Sequence, residues 1–109
     1  MEWMHYIAYS ACGAVLTNAV PHLVSGVMGR PFQTPFAKPR GEGLSSSTVN
    51  VVWGFFNLVF AYVLISRAGA FDLRATGDAV ALGLGIFLEA IYLARRFGRF
   101  NSGNLGERE

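Results

Sequence analysis

The side chains able to do chemistry in this sequence are a few polar groups set in long apolar stretches. Asn18 and His22 stand four residues apart and fall on one face of a helix, with Ala14 and Gly26 continuing the stripe. Asn50 and Asn57 are seven apart, with Gly54 and Ala61 on their face. Glu89 ends a series Gly77, Ala81, Gly85, Glu89 at strict four-residue spacing. A glutamate and a histidine within apolar helices are the usual groups of a proton or ion relay. His22 is also a candidate axial ligand for a haem or chlorin through a neutral imidazole; no second histidine within the apolar stretches offers a bis-His site, and His5 lies at their outer edge. A plainer use is structural. Hydrogen bonds among Asn18, His22, Asn57 and Glu89 would hold helices together at about 0.6 kcal/mol each. No other group of residues suggests a metal, and Cys12, the one cysteine, excludes an intramolecular disulfide.

The elements that position these groups follow from composition. The 109 residues are 52% hydrophobic, 14% aromatic and 15% charged, where an ordinary soluble domain is about 25% charged. A chain this short leaves much of its surface exposed. That much apolar surface is compatible with lipid, not with water. A membrane-crossing helix needs about 20 mostly apolar residues. Three segments qualify, at about 5–29, 48–65 and 76–94, and none contains Lys or Arg. The expected fold is all-α: a single domain over 1–109, an integral membrane bundle of three transmembrane helices. Ser45 to Thr48 supply caps for the second span, and Thr76 or Asp72 for the third. The short link from Arg67 to Arg74 makes spans two and three expected antiparallel neighbours. Pro21 predicts a kink near Thr17 and Asn18. The start, Met1-Glu2-Trp3-Met4-His5, lacks the basic residues of a cleaved signal, so span one is read as retained.

Charge sets the orientation. Arg30, Lys38, Arg40, Arg95, Arg96, Arg99 and Arg108 lie to one side of the spans, and only Arg67 and Arg74 to the other. The positive-inside rule then places the N-terminus outside and the C-terminus inside, with a cytoplasmic loop at 30–47 and a cytoplasmic tail at 95–109, in the cell inner membrane. The basic pI near 9.0 is explained by this asymmetry. No module for nucleic acid accompanies it, and none is expected as a partner. The loop carries Pro31, Pro35 and Pro39 with flanking glycines, which forbids a stable helix. Phe32 and Phe36 are expected to dip into the interface while Arg30, Lys38 and Arg40 meet phosphates or a partner subunit. Arg95, Arg96 and Arg99, interleaved with Phe97 and Phe100, are expected to do the same beyond span three, ahead of a disordered polar tail.

Depth sharpens the cluster. Counted from the loop side, His22 and Glu89 lie about 10 Å in, Asn57 about 13 Å and Asn18 about 16 Å. A buried polar cluster at that level is expected, with a Glu89–His22 contact. Gly54, Gly77, Ala81 and Gly85 are expected to pack helices closely.

The stretch His22 to Phe36, with Gly26, Gly29-Arg30-Pro31-Phe32 and Thr34-Pro35-Phe36, together with Trp53-Gly54-Phe55-Phe56-Asn57, resembles a group of small bacterial multi-span membrane proteins without an established role. The resemblance covers most of the chain and implies no catalytic residues. Small multidrug-resistance transporters are of similar size, but they have four spans and a glutamate in the first. The expected function is a non-catalytic accessory or scaffolding subunit of a larger membrane complex, without a cofactor. The alternative is a homo-oligomeric proton- or ion-coupled carrier using Glu89, His22 and Asn57. No activated nucleophile or cofactor motif suggests an enzyme.

Overall fold

The computed structural model describes residues 3–104. It contains helix α1 (Met4–Val27), strands β1 (Phe32–Gln33) and β2 (Leu44–Ser45), helix α2 (Ser47–Arg67) and helix α3 (Thr76–Asn101). All three helices are long and apolar enough to cross a membrane. The protein is all-helical apart from the short strand pair.

The order of packing differs from the expected one. α1 packs against both α2 and α3, and any contact between α2 and α3 is marginal. The short link makes α2 and α3 successive without making them neighbours. The reason lies in α1, which has small groups on both sides. Toward α2, Gly26 meets Val51 and Ser47, Leu23 lies over Gly54, and the Cys12 thiol donates to the Ala61 carbonyl at 3.3 Å. Toward α3, Gly13 lies against the backbone at Leu82 and Ile86, Gly85 against the Ser10 carbonyl, and Gly77 against Tyr6. The Ser10 hydroxyl donates to the Ala81 carbonyl at 2.8 Å. Gly77, Ala81 and Gly85 thus pack closely as expected, but on span one. α1 also runs unbroken through Pro21, and the Thr17 hydroxyl, one turn earlier, bonds the Gly13 carbonyl at 2.9 Å.

Of the expected helix caps, that of α2 forms and that of α3 does not. Ser46 caps α2, its hydroxyl accepting from the Val49 amide at 3.2 Å. α3 starts after Ala75 with no side-chain cap. Asp78 instead ties the link down, accepting from the Asp72 amide at 2.9 Å. α3 also continues past position 94, so Arg95, Arg96 and Arg99 stand on a helix and not in a tail. Its end is closed by Ser102 in the left-handed region (φ 65°) and by Asn104, whose amide donates to the Arg95 carbonyl at 2.8 Å. The rest of the expected tail, including Arg108, lies outside the described residues.

The proline-rich loop is a hairpin folded over one end of the bundle. Phe32 pairs with Ser45 and Gln33 with Leu44, antiparallel. Thr34 is fully buried and its hydroxyl bonds that of Ser45. Gly41, at φ 74°, donates its amide to the Thr34 carbonyl at 2.9 Å. Phe32 does not dip outward: its ring sits 4.7 Å from that of Phe97. The loop shields polar groups that the helix ends would otherwise leave bare.

The contact at Gly85 generates a test. A methyl group there falls on the Ser10 carbonyl, whereas one at Gly83 meets nothing within 4 Å. Gly85→Ala is expected to destabilise the protein in detergent by about 1–3 kcal/mol. Gly83→Ala is expected to be neutral or stabilising by up to about 1 kcal/mol. Denaturation followed by helicity checks both.

Candidate functional site

Two hydrogen-bonded pairs join α1 to α2, about one turn apart on α1 and two turns apart on α2. The Asn18 amide nitrogen donates to Asn57 Oδ1 at 2.9 Å, and Asn57 Nδ2 donates to the Trp53 carbonyl at 2.8 Å. His22 Nδ1 meets Asn50 Oδ1 at 2.7 Å. Asn50 Nδ2 donates to the carbonyls of Phe32, Ser45 and Ser46 at 3.2, 3.1 and 3.0 Å. Asn50 is wholly buried and ties α1, α2 and both strands together.

These contacts fix which atoms remain free. Three carbonyls can only accept, so Asn50 must turn its nitrogen to them and its oxygen to His22. That oxygen can only accept, so His22 Nδ1 carries the proton and Nε2 carries the lone pair. By the same logic Asn57 turns its oxygen to Asn18, which must answer with its nitrogen. Asn18 Oδ1 is left over as an acceptor. Among the described residues, every fully buried side-chain nitrogen or oxygen has a partner. Nε2 and Asn18 Oδ1 have none, so they are not sealed off. They reach the cleft that their residues line.

The cleft has a volume of about 500 Å³. Asn18 and His22 form its floor. Trp53 of α2 walls one side, and Glu89, Tyr92 and Phe97 of α3 the other. Gln33, Thr34 and Pro35 of the hairpin roof it, with Arg40 and Arg96 at the same end. Arg96 is held there by donating to the Gly41 carbonyl at 3.2 Å.

Glu89 is half-buried and has no hydrogen bond or ion pair among the described residues. The expected Glu89–His22 contact is therefore not formed, because Asn50 holds the histidine. Nor does Glu89 lie in the small-residue interface. A four-residue repeat drifts by about 40° per step on a helix of 3.6 residues per turn, so Glu89 is rotated about 120° from Gly77. The drift turns it out of the α1 contact and into the cleft. Asn18, His22 and Glu89 thus line one cleft, Asn18 bonded to Asn57 and His22 to Asn50, with the Glu89 carboxyl unbonded among the described residues.

The remaining candidates divide. Arg30, Lys38 and Phe36 are exposed, though the Phe36 ring also sits 4.9 Å from that of Trp53. The Arg99 guanidinium lies over the Phe100 ring at 5.2 Å. The His22 ring is only 2% exposed, enclosed by Phe32, Trp53 and Phe97 at centroid distances of 5.7–6.4 Å. Among the described residues no three His, Cys, Asp or Glu side chains gather to hold a metal.

A second pocket of about 380 Å³ opens at the other end, lined by His5, Tyr9, Gly69 and Asp78 among others. Tyr9 and Asn18 are nine positions, two and a half turns, apart. They point in opposite directions from α1, so the two pockets open on opposite faces.

Asn50 is the residue whose importance sequence reading missed. Its spacing from Asn57 is visible, but its partners are carbonyls created by the hairpin. Gly13 was missed as well, although Ser10, Gly13 and Thr17 stand at helical spacing on one face.

Comparison with protein-family models, with curated proteins and with solved structures finds no match.

The tautomer is directly testable. Nitrogen-15 NMR of His22 is expected to show the Nδ1-protonated neutral ring. Asn50→Leu is expected to lose that signature, to cost about 3 kcal/mol through orphaned carbonyls, and to open the hairpin to protease.

Proposed function

We propose that this membrane protein is a carrier or channel unit that receives a cationic group or a proton in the Asn18–His22–Glu89 cleft. The observation that supports this reading is the pattern of satisfaction. The small-residue stripe and both asparagine pairs are used up inside the chain. They therefore no longer call for an external partner. What remains over is a set of acceptors, Asn18 Oδ1, His22 Nε2 and the Glu89 carboxyl, lining one cleft. A cation or a donor-rich group is the complement of such a lining. The basic hairpin end would face the cytoplasm.

The accessory-subunit reading is favoured by a different observation. α1 and α3 leave apolar grooves at Tyr6–Ser10 with Val80–Leu84, and at Thr17–Val24 with Ile86–Ala94. Each is wide enough to seat an acyl chain or a neighbouring helix.

Reconstitution separates the two. Liposomes carrying the purified protein are expected to pass monovalent cations or protons down an imposed gradient. Glu89→Gln is expected to lower that flux about tenfold or more, the scale of a lost charge-assisted contact. Equal flux from wild type, Glu89→Gln and empty liposomes would reject the carrier reading. Co-purification of a fixed stoichiometry of a different polypeptide would then favour the subunit.

A further inference from the structure

We infer that the cleft takes a small zwitterion, a primary ammonium joined by a short chain to a carboxylate, and that the ammonium enters first. This rests on the cleft being a binding site and specifies what it binds.

The charge layout carries the inference. At the floor, the fixed orientations of Asn50 and Asn57 leave only acceptors, His22 Nε2 and Asn18 Oδ1. Glu89 stands beside them without a cationic partner among the described residues. A primary ammonium brings donors and one positive charge, and so is the complement of a lining of acceptors with one carboxyl. A carboxylate at the floor would meet lone pairs and a like charge.

The hairpin end has the opposite character. Arg40 and Arg96 both line the cleft there, and Gly41 draws only one nitrogen of the Arg96 guanidinium. The charged side chains of the lining are thus one acid and two bases. A bare cation would find the acid but would also face the arginines. A ligand carrying both signs satisfies both ends.

Geometry limits its length. Glu89 and Arg96 are seven residues apart on one face of α3, about 10 Å between backbone positions. The Arg96 guanidinium is anchored to the hairpin by its bond to the Gly41 carbonyl. The ligand must therefore separate its charges by several bonds, more than an α-amino acid does. The aromatic walls, Trp53 and Phe97, suit the methylene chain between them. The order of charges also speaks against a resting ethanolamine lipid, whose amine lies outside its phosphate.

Trp53 lines the cleft and supplies the readout. In a Trp3→Phe background it is the one remaining tryptophan, since the chain has two. Detergent-solubilised protein is titrated with ω-amino acids from glycine to 6-aminohexanoate. Alkylamines and alkyl carboxylates of matching length serve as controls. The longer ω-amino acids are expected to bind about tenfold more tightly than glycine or either half-molecule, the worth of one charge-assisted contact. Glu89→Gln should weaken amino acids and alkylamines but spare alkyl carboxylates. Arg96→Gln should do the reverse, and unchanged helicity would show both variants folded. Alkylamines binding as well as ω-amino acids would overturn the zwitterion, as would variants that lose all ligands alike. Should liposome flux depend on Glu89 while no ω-amino acid binds, this inference fails and the carrier reading stands. Failure of both flux and binding rejects both.

Discussion

Inside a bilayer no water is present to satisfy a polar group, so each one must find its partner within the protein or at a wet surface. The arrangement of this chain follows from that constraint, and Asn50 is where it is met most fully. One side chain answers three carbonyls and one imidazole. The carbonyls of Phe32 and Ser45 belong to the strand pair, and that of Ser46 to the start of α2. Asn50 thereby gives the hairpin's carbonyls a further donor at the apolar end of the bundle. The proline-rich loop is ordered because its backbone has been given partners, although its composition denies it a helix.

The same constraint explains why α1 is the middle helix. Between lipid-exposed helices there is little hydrophobic drive to associate, so close packing and hydrogen bonds decide the order. α1 offers both on two sides: Gly26, Cys12, Asn18 and His22 toward α2, and Gly13, Ser10 and Tyr6 toward α3. α2 and α3 carry large apolar side chains on their outer faces, such as Phe55, Phe60, Phe87 and Leu88, which are more than half exposed. A helix flanked on two opposite sides keeps two other faces open. The cleft and the second pocket lie on those faces.

Much of this was legible in the sequence. Span positions follow from length and apolarity alone. The Gly77–Ala81–Gly85 stripe reads as a close-packing face, and Asn18, His22 and Asn57 read as one polar level. What was not legible depends on angles and on non-local partners. The stripe does not say which helix it meets. Glu89 continues its spacing but leaves its interface, because 3.6 does not divide four evenly. The turns of α3 beyond position 94 look like a charged tail by composition. They are held as helix by Asn101, which bonds the Phe97 carbonyl at 2.9 Å and Gln33 at 3.3 Å. Phe32 reads as an interfacial anchor until the hairpin turns it onto His22 and Phe97.

The free acceptors of the cleft bear on why such a site persists. Leaving a polar atom without a partner in a dry interior costs about 1–3 kcal/mol, and more for a charged group. Three such groups would burden a small bundle heavily if the cleft were dry. The cost falls if water or a ligand fills it from the hairpin end, where Arg40 keeps the mouth polar. A chain that needed these residues only to glue helices would gain by replacing Glu89 with an apolar residue, since Glu89 bonds nothing among the described residues. Asn57, by contrast, bonds both Asn18 and the Trp53 carbonyl, and Asn50 bonds four groups. The division between fully used asparagines and an unused glutamate separates the residues that hold the fold from a carboxyl that adds no bond to it among the described residues.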